Sequence, residues 1–498
     1  MTMKKKQKQL VRLLALVLAL LLVLGTVASL VFSHAHAQQS QPRDSYALEV
    51  EFLEQEQALQ IRQRLLYTNR SDAALDRVEF SLYANMFRRL SALPYSADAL
   101  GDVLYAGYAP GGVEITGVLV DGQEADWGVF GENELFLRVA CSLEPGQSCT
   151  FTFEYALLYT QNGAELGVGE NDLRLRGFYA QALRLEDGEF VAQAPLQHAN
   201  YVYADRADFS LVVTLPERYL LAGPGALECS DNGDGTRTWT LTASDLRELC
   251  VSIGMRWREY TGTTQAGTNV RVLAASRQGG PRALESALSA LNAYEEWFGP
   301  LAWDVTIAQS DYALGALSVQ GLIWADETAL LDDMALRRAL AKQFFGYGAY
   351  AAPVDDAWLS DAVSEYVACL ATEEIDGRDA FLQDLNERLL PEAQYTLPGG
   401  LEVTSAADLF TPSEYESVVQ GRGALVMHET RNAMGLEEFL SGLRLFYQRG
   451  LETDVVGEYD LVGALDDATG GDWEAFLTDW LFNVADLYQE QYMLDWIE

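Results

Sequence analysis

Arg338 and Lys342 stand four positions apart on a helix-patterned stretch, which places both cations on one helix face. Lys342 is the only lysine after residue 37 of the 498-residue chain. On residue types alone, such a pair reads as a solvated helix face, and the lone lysine stays an anomaly. More familiar catalytic patterns are missing. Of the four histidines, His34 and His36 lie near the N-terminus, which leaves only His198 and His428, far apart. No H-E-x-x-H, Cys-x-x-Cys, G-x-S-x-G or phosphate-loop pattern occurs. Asp231-Asn232-Gly233-Asp234-Gly235 hints at a calcium loop, but Ser230 and Leu241 fall where the first and twelfth ligands belong, so it reads as a hairpin turn. Asn69-Arg70-Ser71 is a formal glycosylation acceptor and reads as fortuitous.

Two kinds of element must carry these residues. From Tyr46 to about Tyr260, short alternating runs separated by turns (Ala47–Phe52, Ala58–Tyr67, Leu135–Val139, Thr150–Tyr155, Phe209–Leu215, Thr236–Leu241) predict a β-rich domain, 46–260. After Thr261 the period becomes helical. Ala283–Phe298 ends at Gly299-Pro300, strand-like runs follow at Trp303–Ile307 and Leu322–Trp324, and helices are expected at Asp332–Phe345 and Asp356–Thr372. Gly435–Gly450, Tyr459–Thr469 and Asp472–Asn483 continue the helical pattern to complete a second domain, 261–498.

The formal net charge of −39, from 34 basic and 73 acidic side chains, argues against nucleic acid as a partner. The basic residues are unevenly placed. Lys4, Lys5, Lys6, Lys8 and Arg12 precede Leu13 to Phe32, an uncharged run of twenty residues, about 30 Å as a helix and long enough to span a bilayer. Ala35-His36-Ala37 is a possible cleavage site before Gln38. Two outcomes stay open: an anchor over 13–32 holding the body at the outer face of the cell membrane, or a secreted body cut near Ala37. Residues 38–45 read as a polar spacer. Cys141 with Cys149, and Cys229 with Cys250, bracket hairpins and are either disulfides or free thiols; Cys369 reads as a helix core residue.

Several segments in order resemble the membrane alanyl aminopeptidase family of gluzincin zinc peptidases. Tyr67-Thr68-Asn69 and Leu82-Tyr83-Ala84-Asn85-Met86-Phe87 look like its saddle-like β domain, and Tyr294 to Pro300 matches its helix-into-strand segment. Arg338-Ala339-Leu340-Ala341-Lys342-Gln343-Phe344-Phe345-Gly346 is similar to H-E-L-A-H-Q-W-W-G. Trp358-Leu359-Ser360-Asp361 is similar to W-L-N-E, nineteen positions on from Lys342. The resemblance implies an α+β multidomain fold, with a β-rich domain followed by a thermolysin-like, mostly helical catalytic-type domain. The family's large C-terminal helical domain is not expected within this chain.

The same alignment shows what has changed. Arg338 and Lys342 stand at the two histidine ligands, Ala339 at the general base, and the shorter Asp361 at the third ligand. In Gly315-Ala316-Leu317-Ser318, Ser318 stands where a glutamate holds the substrate ammonium. In Gln420-Gly421-Arg422-Gly423-Ala424, Gln420 replaces the tyrosine that stabilises the tetrahedral intermediate. Alanine can neither take nor return a proton. The family uses zinc; the expectation here is no metal, no intact catalytic residue, and an ion cluster of Arg338, Lys342, Asp361 and Glu365. The expected role is a pseudopeptidase that binds peptides or a membrane protein partner. The alternative is an active metallo-aminopeptidase with a metal on Asp361, Glu365 or other carboxylates.

Overall fold

The computed structural model describes residues 43–390 and 400–482. The apolar run 13–32, the Ala37 cleavage site and Asn483 lie outside them. Among the described residues, no helix is long and apolar enough to cross a membrane. From Asp44 onward the chain forms one compact unit. The first strand starts at Asp44, inside the span read as a spacer, of which residues 38–42 lie outside the described residues.

In the first strand, Asp44–Leu53, Tyr46, Leu48 and Val50 are buried while their neighbours face solvent, as a one-sided strand requires. It pairs in parallel with Ala207–Pro216 and antiparallel with Ala58–Thr68, at the centre of an eight-stranded sheet. Two four-stranded sheets accompany it. Aromatic rings fill the space between: Phe80 lies edge-on to Phe151 and Phe153 at 5.2 and 5.1 Å, and Tyr46 stacks on Phe209 at 4.8 Å.

Smaller sequence features resolve here. The Asn69 side chain is buried and donates to the carbonyls of Ala73 and Leu143, so it ties a turn and offers no free amide for a glycan. Asp231 and Asp234 accept from Gly233 N and Thr236 N within the hairpin turn. Of the two readings left open for the cysteine pairs, the structure has free thiols at Cys141, Cys149, Cys229 and Cys250. Cys229 is exposed and lies opposite Trp239 across its hairpin, whereas Cys250 is buried beside Glu248. Burial pushes the Cys141 and Cys149 thiols up, to about 11 and about 12.

The second half is built on a five-stranded sheet that begins at Arg258–Thr263 and has Ala316–Val319 at its edge. Helix α1 (Gly279–Phe298) covers it and buries Ala283, Ala287, Ala290, Leu291, Tyr294 and Phe298 in the core. Helix α2 (Asp333–Lys342) starts at Asp332, whose carboxylate accepts from Met334 N and Ala335 N. Where the sequence predicted a helix running to Phe345, α2 gives way at Gln343 to a wider π-turned segment, Gln343–Gly348. Helix α3 (Ala357–Asp376) is buried along most of its length, with Cys369 in the core. Helix α4 (Gly423–Met434) packs beside it, and α5 (Leu436–Glu452) packs on α1 and α4.

Two buried contacts fix these helices. A Cβ at Gly450 of α5 would lie 2.5 Å from Ala349 Cα, just past the π segment. Gly450→Ala should therefore lower unfolding stability by roughly 1–3 kcal/mol despite alanine's better helix propensity; an unchanged or raised denaturation midpoint would contradict this packing. His428 of α4 meets the Tyr366 hydroxyl of α3 at 2.9 Å, and burial, reinforced by Arg431, pushes its pKa down to about 3. A histidine depressed in the folded state leaves the unfolded chain to take the proton, so stability is lost as pH falls from about 6.5. The difference in unfolding free energy between wild type and His428→Gln should shrink by about 1.4 kcal/mol per pH unit over that range. A difference independent of pH would show that His428 titrates normally.

Candidate functional site

Four elements converge on one cavity: the edge strand Ala316–Val319, α2, α3, and a π-turned segment, Glu416–Arg422, that leads into α4. Gln343 locks the strand to α2. Its Nε2 donates to Ser318 Oγ and Val319 O at 2.7 and 2.9 Å, and its Oε1 accepts from Gly321 N and Trp303 Nε1 at 2.9 and 2.8 Å. Ser318 Oγ in turn donates to Ala339 O at 2.7 Å. The serine at the expected ammonium-binding position is therefore engaged within the protein. Ala339 is buried, with only a methyl group to present to the cavity.

On α2 and α3 the cations and carboxylates face each other in two rungs. Lys342 Nζ is 2.9 Å from Asp361 Oδ1, and Arg338 Nη1 is 3.7 Å from Glu365 Oε2. The sequence order is reversed across the rungs, so the helices run antiparallel at this contact. Asp361 and Glu365 are buried, whereas about a third of each cationic side chain remains exposed. The structure thus brings together Arg338, Lys342, Asp361 and Glu365.

Two further partners lay outside the sequence reading. Tyr415 donates its hydroxyl to Asp361 Oδ2 at 3.0 Å, from a position five residues before Gln420. Burial next to Asp361 pushes its pKa well above the ordinary tyrosine value. Arg388 bonds Glu365 and clasps Asp384 at 2.7 and 2.8 Å. Burial alone would lower the Arg388 pKa, but the Asp384 hydrogen bonds and the Glu365 charge raise it above its ordinary value. The Arg388–Asp384 spacing of four residues was visible in the sequence; its reach to Glu365 was not.

The cavity has a volume of about 440 Å³ and is lined by Arg338, Ala339, Lys342, Asp361, Glu365, Gln420 and the strand Gly315–Ser318, among others. Its opposite wall comes from the β-rich half. There Arg176 is clasped by Glu248 at 2.9 Å, donates to Asn200 at 2.6 Å and stacks over Tyr201. Glu165 accepts from Tyr201, and burial raises its pKa. The His198 ring lies tilted by 50° against Tyr415, centroids 4.8 Å apart, and donates from Nε2 to Ala407 O; burial lowers its pKa, which favours the neutral ring.

These residues do not fit zinc. The metal asks for imidazole, thiolate or carboxylate donors, and two of the three aligned positions carry cations. Both oxygens of the third, Asp361, are taken by Lys342 and Tyr415. Among the described residues, no group of three or more His, Cys, Asp or Glu is placed to hold a metal ion.

If Lys342 neutralises Asp361, losing the ammonium strands a buried carboxylate oxygen. Lys342→Met should cost roughly 1–3 kcal/mol of stability. Adding Asp361→Asn should recover part of it, for a coupling of about 1 kcal/mol or more in a double-mutant cycle. Additive losses from denaturant titration would refute the pairing.

No family profile matches the chain. Among curated proteins it is 24% identical over 403 residues to aminopeptidase N of Lactococcus lactis, spanning 74% of this chain but only 46% of that relative. It is 26% identical over 236 residues to human endoplasmic reticulum aminopeptidase 2, spanning 41% of this chain and 24% of that protein. The M1 zinc metallopeptidase of Deinococcus radiodurans superposes with a TM-score of 0.63 at 20% identity, covering 89% of this chain and 94% of that one. A variant of that enzyme bound to a Tyr-Ser-Ala substrate gives 0.63 at 19% identity, with 89% and 94% covered. The chain spans about half the length of its Lactococcus relative and nearly all of the Deinococcus structure. Its sequence is similar to those of aminopeptidases, and its fold is that of the M1 zinc metallopeptidases.

Proposed function

We propose that this chain is a metal-free pseudopeptidase that keeps the aminopeptidase cleft for binding peptides and has lost the hydrolytic chemistry. One observation carries the reading: the Lys342 ammonium, 2.9 Å from Asp361 Oδ1, takes the partner position that a metal ion would need. Removing zinc while keeping a buried carboxylate would leave an uncompensated charge, worth several kcal/mol. A cation built into α2 settles that charge without a metal. Ala339 supplies no base, and Gln420 supplies no phenol for a developing oxyanion.

The cleft supports peptide binding as the retained role. It is concave, lies between the β-rich and helical halves, and falls within the size range of small-ligand sites. The Deinococcus relative holds a peptide substrate in a protein of this fold. The basic, apolar leader favours a body outside the cytoplasm, either anchored in the membrane or released. A membrane protein partner fits that placement.

The relatives' names favour a second reading, an active metallo-aminopeptidase. It requires a metal held by carboxylates that are already paired with cations, and a base from elsewhere. Elemental analysis after zinc loading, combined with hydrolysis of aminoacyl reporter substrates, separates the two. The proposal expects less than a tenth of a zinc per chain, on the order of contamination, and no turnover above a buffer blank. One zinc per chain with turnover would establish the active enzyme.

A further inference from the structure

Of the five carboxylates lining the cavity, three have side-chain partners and two accept from backbone N–H groups. Asp361 and Glu365 face their cations; Asp332 caps α2; Asp326 accepts from Ala329 N at 2.6 Å; Glu165 accepts from Tyr201. Two of the cations are committed as well, Arg176 to Glu248 and Lys342 to Asp361. Arg338 differs. Its one ion pair, to Glu365, is 3.7 Å long, beyond hydrogen-bond distance, and Glu365 is bonded more tightly by Arg388. A guanidinium carries five N–H donors in a planar fork suited to a carboxylate. About a third of this side chain is exposed where it lines the cavity.

A second observation points to the same ligand chemistry. Ser364, next to Glu365 on α3, also lines the cavity; it is 1% exposed, and its hydroxyl has no hydrogen-bond partner among the described residues. A buried hydroxyl without a partner costs about 1–3 kcal/mol, which a ligand acceptor reaching it would recover. His198 Nδ1 is likewise unpartnered. Because its Nε2 donates to Ala407 O, the neutral ring presents Nδ1 as an acceptor. The lining thus offers an unspent guanidinium, a spare hydroxyl donor and one neutral acceptor. The carboxylates without a cation partner, Asp326 and Asp332, are engaged in capping backbone N–H groups.

We propose that the cavity takes its ligand by a carboxylate, received by Arg338 and Ser364, so that it reads the C-terminus of a peptide or a small carboxylic acid. His198 Nδ1 then accepts an N–H from the same ligand. This rests on the reading of the cleft as a retained binding site, and it reverses the end of the peptide that the cleft reads.

The test is calorimetric titration of the full-length chain with four probes: trialanine, N-acetyl-trialanine, trialanine amide and N-acetylalanine. Free and N-acetylated trialanine should bind within about twofold of each other, and the amide about tenfold or more weaker, the scale of one charge-assisted hydrogen bond. Arg338→Gln should bring the free acid down to the level of the amide. Ser364→Ala should weaken it severalfold and provides a second variant if Arg338→Gln does not fold. N-acetylalanine binding without trialanine would keep the carboxylate site and reject the peptide. Binding that survives amidation and is lost on N-acetylation would overturn the inference and leave the peptide-binding reading standing. No binding by any probe would overturn both.

Discussion

Asp361 is a buried carboxylate on a buried helix, and the arrangement of the helical half follows from what neutralises it. A carboxylate out of water needs a cation or a set of donors close at hand. Here it has both: the Lys342 ammonium on one oxygen and the Tyr415 hydroxyl on the other. One turn along α3, Glu365 poses the same demand, met by Arg388, with Arg338 farther off at 3.7 Å. These contacts bring α2, α3, the segment before α4 and the short helix carrying Arg388 to one place, where a metal ion would otherwise gather them.

That exchange has a consequence for the cleft. A metal ion is a concentrated charge that a ligand can share, whereas an ammonium bonded to a carboxylate is largely spent. The charge that remains available is Arg338, displaced one turn along α2. The strand that would have held an ammonium is committed to the protein instead, through Ser318, Gln343 and the Ala339 carbonyl. On the proposed reading, the cavity survives with a cation already paired to Asp361 where a metal would stand.

Much of this was legible through the resemblance, because the segments around Arg338, Lys342 and Asp361 match family segments whose ligands meet at one metal; residue types alone gave only a solvated helix face. The β-rich half was legible through its period-two burial, as in Tyr46, Leu48 and Val50. What was hidden came from contacts across long sequence separations. Tyr415 and Arg388 reach the cluster from elements whose packing no local pattern reveals. The π-turned segment at Gln343 was also hidden: Gln-Phe-Phe-Gly reads as continued α-helix, and the side-chain bonds of Gln343 to a distant strand are what set its place. The cysteine pairs stayed open for a related reason, since flanking a turn in sequence does not put two residues in register: Cys229 lies opposite Trp239.

The central claim is that an ammonium group has taken the place of the metal beside Asp361. The most direct measurement is X-ray diffraction at the zinc absorption edge, on crystals equilibrated with zinc at neutral pH. The account predicts no anomalous peak between α2 and α3, with Lys342 Nζ within hydrogen-bond distance of Asp361. A zinc peak on Asp361, with the lysine turned away, would contradict it.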